Sequence, residues 1–191
     1  MKNKNNNKGF TLIEILIAIS IFVIFMGILL SSYSGIIAAQ KSANNYRAVY
    51  EEGRSVFDEL VTEFRENVVD YGNVEYRCRP QVLASALSSV RLISRDGLTR
   101  TNVYFEDGFL KIQKGNEDAV VLNSDAALLR DFKVYVYPYV DPYDPSYVFD
   151  DGYQFQPKVT FSAIFEPFGT EFKTSVSSRL YNQVYLTEPC L

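Results

Sequence analysis

Histidine and tryptophan are absent from the 191-residue chain, and cysteine occurs only twice. Without histidine, the Ser-His-Asp and Cys-His arrangements that activate a nucleophile are excluded, and zinc has no imidazole ligand. Two cysteines supply too few thiolates for a closed zinc site. The carboxylates are scattered without a recognisable catalytic spacing. We therefore expect a protein with no catalytic residues and no cofactor.

Charge and proline are both missing from long N-terminal stretches. No charged residue occurs between Glu14 and Lys41, and no proline precedes Pro80. A membrane core of about 30 Å needs about 20 helical residues, so the stretch from Ile15 to about Ile37 can span it. The lysines before the stretch favour a cytoplasmic N-terminus. The sequence predicts a single-pass inner-membrane protein with its C-terminal domain outside the cytoplasm.

Beyond residue 39 the helical pattern becomes amphipathic. Apolar residues recur at steps of three and four, as on one face of a helix, at Ala43, Tyr46, Val49, Tyr50, Val56, Phe57, Leu60, Val61, Phe64 and Val68. The pattern predicts one helix of about 90 Å from about Thr11 to Asp70. Gly72, just beyond it, is a residue that suits a helix end. Leu60 is expected to face inward and Glu63 to lie on the polar face.

The remainder of the chain alternates short apolar runs with turn residues. These runs predict strands at Ser89–Ser94, Thr101–Phe105, Phe109–Gln113, Ala119–Leu122, Phe132–Tyr137, Lys158–Phe165 and Phe172–Leu180. Asp107-Gly108 between two of them is a strong hairpin signal. Residues 81–88 fit either a short helix or a loop. Short connections favour an antiparallel sheet, and we predict an α+β fold in which the long helix packs on that sheet.

The net charge is −4, although the first nine residues carry three lysines and no acid. The folded part is therefore acidic and would repel a phosphate backbone. We do not expect a nucleic-acid partner.

The segment Lys8-Gly9-Phe10-Thr11-Leu12-Ile13-Glu14 is followed directly by the apolar run. It resembles the class III signal of type IV pilins and of the pseudopilins of type II secretion. The resemblance implies that a prepilin peptidase cleaves after Gly9 and methylates Phe10. The alternative is a secretory signal peptide cleaved near Ser32 or Ser34.

The resemblance also implies an organisation and a set of partners. Residues 1–9 would be a cleaved leader, 10–39 a transmembrane and assembly helix, 40–71 its amphipathic half, and 72–191 an antiparallel β-rich domain. Membrane lipid would surround the subunit before assembly, and other pilins or pseudopilins and the inner-membrane assembly platform would contact it afterwards. The chain is most similar to a J-type minor pseudopilin or a minor pilin; a binding or adhesion module displayed at a filament tip is the alternative.

Glu14 is the one acid in the apolar run, and a lone carboxylate in lipid costs several kcal/mol unless it is paired. The new amine of Phe10 on a neighbouring subunit could pair with it, which would make Glu14 an assembly residue. Alternatively, its carboxylate simply reaches the lipid headgroups.

Residues 138–151 interrupt the strand pattern with prolines, tyrosines and aspartates. Their oxygen ligands, at Asp141, Asp144, Asp150 and Asp151, could hold calcium, although the spacing matches no EF-hand. A proline-stiffened surface loop and a partner contact are the other interpretations.

Cys78 and Cys190 are expected to form a disulfide outside the cytoplasm. Closing so long a loop stabilises a fold by about 4 to 5 kcal/mol in the chain-entropy model. Two free thiols are the alternative.

Overall fold

The computed structural model describes residues 10–142 and 156–178 of the chain. Its helices are α1 (Leu12–Glu66) and α2 (Val74–Cys78), with 3₁₀ turns at Pro80–Val82 and Asp125–Ala127. The strands are β1 (Asn67–Val69), β2 (Ser89–Ser94), β3 (Arg100–Glu106), β4 (Phe109–Lys114), β5 (Val120–Val121), β6 (Leu129–Tyr137), β7 (Lys158–Phe165) and β8 (Thr170–Ser177). The predicted α+β class, a long N-terminal helix packed on antiparallel sheets, is confirmed.

The chain forms two compact units, Met1–Tyr46 and Arg47–Leu191. In the first unit, the described residues from Phe10 onward belong to α1 or directly precede it, and all of them are exposed. Nearly all are apolar from Ile15 to Ala39, so this part of the helix has no core of its own to enter. Its large side chains require another apolar environment.

In the second unit, α1 buries one stripe of residues against the sheets. The buried positions recur at steps of three and four: Val49, Gly53, Val56, Phe57, Leu60, Glu63 and Phe64. This is the spacing of a single helical face. The predicted inward positions of Val56, Phe57, Leu60 and Phe64 are confirmed, and Val61 is half-buried.

Glu63 was expected on the polar face, and that expectation is wrong. The side chain is only 3% exposed. Its carboxylate pairs with the ammonium of Lys114 on β4 and accepts a hydrogen bond of 3.1 Å from Asn67 Nδ2. The helical period places Glu63 beside Leu60 and Phe64, and only the lysine of a distant strand makes a buried acid tolerable there.

The helix also ends earlier than predicted, at Glu66 rather than near Asp70. Residues 67–69 leave the helix and pair antiparallel with β2, with Val68 opposite Ile93 and Val69 opposite Leu92. Val68 continues the apolar period of the helix, which is why the sequence suggested a longer one. Two adjacent β-branched residues suit a strand, and the available edge of β2 decides between the two states.

The strands form two sheets instead of the single sheet expected. The five-stranded sheet has the order β1-β2-β3-β4-β5 and the three-stranded sheet the order β6-β7-β8, and every pairing is antiparallel. A single bridge between Leu87 and Val134 connects residues 81–88 to β6. Those residues, for which helix and loop were both open, contain the end of a 3₁₀ turn and then turn and bend residues.

The predicted strand positions are confirmed, with bounds that differ by one to three residues for most strands. β2 and β7 have the predicted bounds, whereas β5 is shorter and β6 starts at Leu129. The hairpin between β3 and β4 turns at Asp107 (φ 51°) and Gly108 (φ 85°), with Glu106 paired to Phe109. Two successive positive φ values are what a type I′ turn requires.

Phenylalanines join the helix to the three-stranded sheet. Phe64 meets Phe161 edge-on with ring centroids 4.5 Å apart. The ring centroids of Phe172 and Phe57 are 5.5 Å apart. The Phe172 ring also lies directly over Gly53, where an added Cβ atom would come within 2.6 Å of it. Glycine at this position therefore lets the ring reach the helix backbone.

Asn123 connects the β3–β4 turn to the 3₁₀ turn that follows it. Its Oδ1 accepts a hydrogen bond of 2.8 Å from the Leu110 N–H, and its Nδ2 donates to the carbonyls of Gly108 and Ala127 at 3.0 and 2.9 Å. The side chain is 5% exposed. The next residue, Ser124, donates its N–H and its hydroxyl to the Glu52 carboxylate on α1.

Candidate processing and assembly site

The start of α1 places Thr11 and Glu14 in reciprocal contact. The Thr11 carbonyl accepts hydrogen bonds from the N–H groups of Glu14 and Ile15, at 3.1 and 3.3 Å, which makes Thr11 the N-cap of the helix. The N–H of Glu14 is 3.4 Å from Thr11 Oγ1, and both Thr11 N and Thr11 Oγ1 are 3.4 Å from Glu14 Oε2. This is the arrangement of a capping box.

Glu14 therefore has a partner within its own chain. An acid in the first helical turn is also favoured by the helix dipole. Sequence reasoning considered a neighbouring subunit and the lipid headgroups as partners and missed this one. The signal was present, since Thr-x-x-Glu before an apolar run is the sequence pattern of a capping box.

Phe10 precedes this cap, and its side chain is 81% exposed. Gly9, the residue expected before the cleavage point, lies outside the described residues. The helix that begins two residues after Phe10 is long and apolar enough to cross a membrane, by length and composition. None of the residues in its most apolar stretch is buried.

Comparison with known protein families gives a match at the N-terminus. The model of the prokaryotic N-terminal methylation motif matches residues 4–30. These residues include the predicted cleavage point, the capping box and the first part of the apolar helix. The chain carries a type IV pilin-like class III signal. No curated protein and no solved structure matches the chain significantly.

The motif has consequences for processing and location. It supports a processed subunit of the pilin or pseudopilin kind, it implies cleavage by a prepilin peptidase and pilin assembly, and proteins with this motif are generally structural rather than enzymatic. Together with the exposed apolar helix, it fits a single-pass membrane-anchored protein.

The other predicted site residues are less fully placed. Cys78 ends α2 and is not a free thiol; Cys190 lies outside the described residues, so their pairing stays a prediction. Asp141 is described, whereas Asp144, Asp150 and Asp151 are not, and the calcium interpretation stays a prediction as well. Within residues 10–142 and 156–178, no group of three acidic or cysteine side chains is arranged to hold a metal ion.

Proposed function

We propose that the chain is a minor pseudopilin or minor pilin. After cleavage behind Gly9 and methylation of Phe10, its N-terminal helix leaves the membrane for a filament or filament tip that serves protein secretion or pilus function. The observation that carries this proposal is the methylation motif at residues 4–30. It coincides with the start of a helix whose apolar side chains from Ile15 to Ile37 are all exposed.

Glu14 has a defined part in the proposed assembly. The capping box holds its carboxylate beside the backbone of Thr11, one residue from the amine that cleavage creates on Phe10. Removing the leader adds a positive charge next to a carboxylate that is already oriented. A neighbouring subunit displaced along the filament can present its own amine to the same carboxylate, because Glu14 is exposed on the helix. In an apolar surrounding this ion pair sets the register between helices.

Mass spectrometry of the N-terminus of the mature chain, expressed with a prepilin peptidase, tests the proposal. We expect the mature chain to begin at methylated Phe10. The variant Gly9→Val should retain residues 1–9, because a branched side chain replaces the small residue at the cleaved bond. Gly35→Val is the matched control: it makes the same change in the helix, where a Cβ atom added to the glycine would meet no side chain of the described residues within 4 Å, and should be processed normally.

A mature chain that begins near Gly35 would identify a secretory signal peptide instead. An intact N-terminus in the presence of active peptidase, or cleavage that is indifferent to Gly9→Val, would also contradict the proposal.

A further inference from the structure

A cavity of about 180 Å³, lined mostly by residues with polar side chains, opens on the outer face of the five-stranded sheet. Its base is a row of three residues paired across neighbouring strands: Arg91 on β2, Asn102 on β3 and Gln113 on β4. The alternate residues of the same strands, among them Val90, Val103 and Ile112, are buried on the opposite face. Asn73, Arg100, Thr101 and Gly115 complete the lining.

The lining is rich in hydrogen-bond donors. It contains two guanidinium groups, and none of the seven lining residues carries a carboxylate. Each arginine is held through one nitrogen. Arg91 Nη1 donates to Asn73 Oδ1 at 2.9 Å and is 3.3 Å from Glu75 Oε2, and Arg100 Nε is 3.3 Å from Asp70 Oδ2. A guanidinium has five N–H groups. The arginine side chains are 43% and 56% exposed, so donors remain available to a ligand.

Two buried acceptors at this place are incompletely satisfied. Asn102 Oδ1 and Asp70 Oδ2 have no hydrogen-bond partner among the residues that the structure describes, although Asp70 is within ion-pair distance of Arg100. Buried polar atoms in folded proteins are nearly always bonded. Asn102 lines the cavity, so a ligand that completes its hydrogen bonds must bring an N–H or O–H donor to Oδ1. Asp70 lies outside the lining and has Arg100 as its ion partner.

We propose that this cavity binds a singly charged carboxylate whose molecule also carries an N–H donor: Arg91 and Arg100 donate to the carboxylate, and Asn102 Oδ1 accepts from the N–H. The planar guanidinium group matches the two oxygens of a carboxylate. Glu75 and Asp70 already offset the two positive charges, which disfavours a doubly charged phosphate. The end of a polypeptide chain carries both groups, the terminal carboxylate and the N–H of the last residue, and so does a small N-acylated amino acid. This inference goes beyond the proposed function and does not depend on filament assembly.

Titration of the full-length chain in detergent micelles tests the proposal, with the arginine Nε–H signals followed by NMR. The probes are acetate, N-acetylglycine, its uncharged amide and inorganic phosphate, all at constant ionic strength. We expect saturable shifts of the Arg91 and Arg100 signals with N-acetylglycine and none with the amide. Acetate has the carboxylate without the N–H donor, so it should bind more weakly than N-acetylglycine does.

Three variants locate the binding. Arg91→Gln and Asn102→Asp should each weaken it at least tenfold, the first by removing donors and the second by adding a negative charge to the cavity. Arg130→Gln is the matched control, since this arginine lies on β6 and pairs with Glu166; it should leave binding unchanged. Asn102→Asp keeps both arginines, so it remains informative if Arg91→Gln fails to fold.

Three results would overturn the proposal. The first is tighter binding of phosphate than of either carboxylate. The second is a shift that follows ionic strength without saturation, and the third is binding unaffected by the two cavity variants.

Discussion

Glu14 takes part in the helix cap and in the proposed ion pair, and two substitutions separate these roles. Glutamine can replace glutamate in a capping box, so Glu14→Gln keeps the helix cap and removes the charge. Thr11→Ala removes the cap, at a cost of about 1 kcal/mol, and keeps the charge. If the proposed ion pair sets the register of assembly, Glu14→Gln should abolish crosslinking between this subunit and its filament neighbours, and Thr11→Ala should reduce it only slightly.

Subunit levels in the membrane provide the control for this experiment, because neither change should prevent insertion. Normal crosslinking of Glu14→Gln would show that the charge does not register assembly. Loss of crosslinking in Thr11→Ala alone would assign the effect to the cap.

Gly53 lies where the Phe172 ring meets the helix. Replacing a helical glycine by alanine ordinarily stabilises a helix by up to about 1 kcal/mol. At Gly53 the new Cβ would lie 2.6 Å from Phe172 Cε2, so the ring must move away from Phe57 and Phe165. We expect Gly53→Ala to lower the free energy of unfolding by about 1 to 3 kcal/mol, measured by chemical denaturation.

The double variant Gly53→Ala with Phe172→Leu provides the control, because a smaller side chain leaves room for the methyl group. It should be destabilised by less than the sum of the two single changes. A stabilising effect of Gly53→Ala alone would mean that the ring does not press on the helix.

At the scale of elements, the pair between Glu63 and Lys114 joins α1 to β4. The hydrogen bond from Lys114 to Glu63 raises the pKa of the lysine, so the lysine is charged at neutral pH. Glu63→Lys would place two cations together at a position that is 3% exposed, and leaving a buried charge uncompensated costs about 3 to 5 kcal/mol. We expect the variant to melt far below the wild-type chain.

The exposed Glu59→Lys is the matched control on the same helix and should melt near the wild-type temperature. Exchanging the pair, with Glu63→Lys and Lys114→Glu together, should recover part of the loss. Equal melting of Glu63→Lys and Glu59→Lys would show that Glu63 faces solvent.

Asp70 follows β1 and should make stability depend on pH. Burial raises its pKa above the ordinary value of 3.8, although Arg100 and Arg91 act in the opposite direction. A carboxyl with a raised folded-state pKa contributes stability that is fully present below the unfolded value and lost as pH rises through the folded value. Measured between pH 7 and 3, the wild-type chain should therefore gain stability on acidification relative to Asp70→Asn.

Asp96 gives the opposite sign and serves as the internal control. Its hydrogen bonds from the Ser94 hydroxyl and the Leu98 N–H lower its pKa. The wild-type chain should lose stability relative to Asp96→Asn as the pH falls through the folded-state value. The same slope for both variants would show that burial does not dominate at Asp70.

Strand positions were predictable because the turns between them are local. Asp107-Gly108 marks the β3–β4 hairpin within the local sequence, and alternating apolar residues mark the strands on either side. Long-range pairing was not predictable. The end of α1 depends on the edge of β2, and the burial of Glu63 depends on a lysine 51 positions later in the sequence.

For the whole molecule, the core belongs to one unit. The buried apolar residues of the described chain begin at Val49 and continue to Val176. A fragment of residues 40–191 should therefore be monomeric without detergent and unfold cooperatively, as sizing chromatography and thermal melting will show. A fragment of residues 57–191 is the control, since it lacks Val49 and Val56 and should melt lower. Aggregation of the longer fragment would mean that residues 1–39 complete the core.

The processing motif could be recognised from the sequence, whereas the residues that meet in space could not. The order of residue types from Lys8 to Glu14 sufficed to predict processing, because the motif is contiguous in sequence. The cavity at Arg91 was not predictable, because its lining comes from three strands and the N-cap of α2. Residues that converge through strand register leave no contiguous pattern in the sequence.

The hydrogen bonds of Asn123 also bear on chemical ageing. An asparagine followed by serine can lose its amide nitrogen when the next backbone nitrogen attacks the side-chain carbonyl carbon. Here the Ser124 N–H is held by Glu52 and both ends of the amide are bonded, so the atoms cannot rotate into line for that attack. Deamidation would also replace the Nδ2 donor of Asn123 by an oxygen, which would face the carbonyl oxygens of Gly108 and Ala127 without a proton to share. The folded chain thus protects this bond for as long as α1 stays docked, and any aspartate at position 123 in an aged sample would record past unfolding.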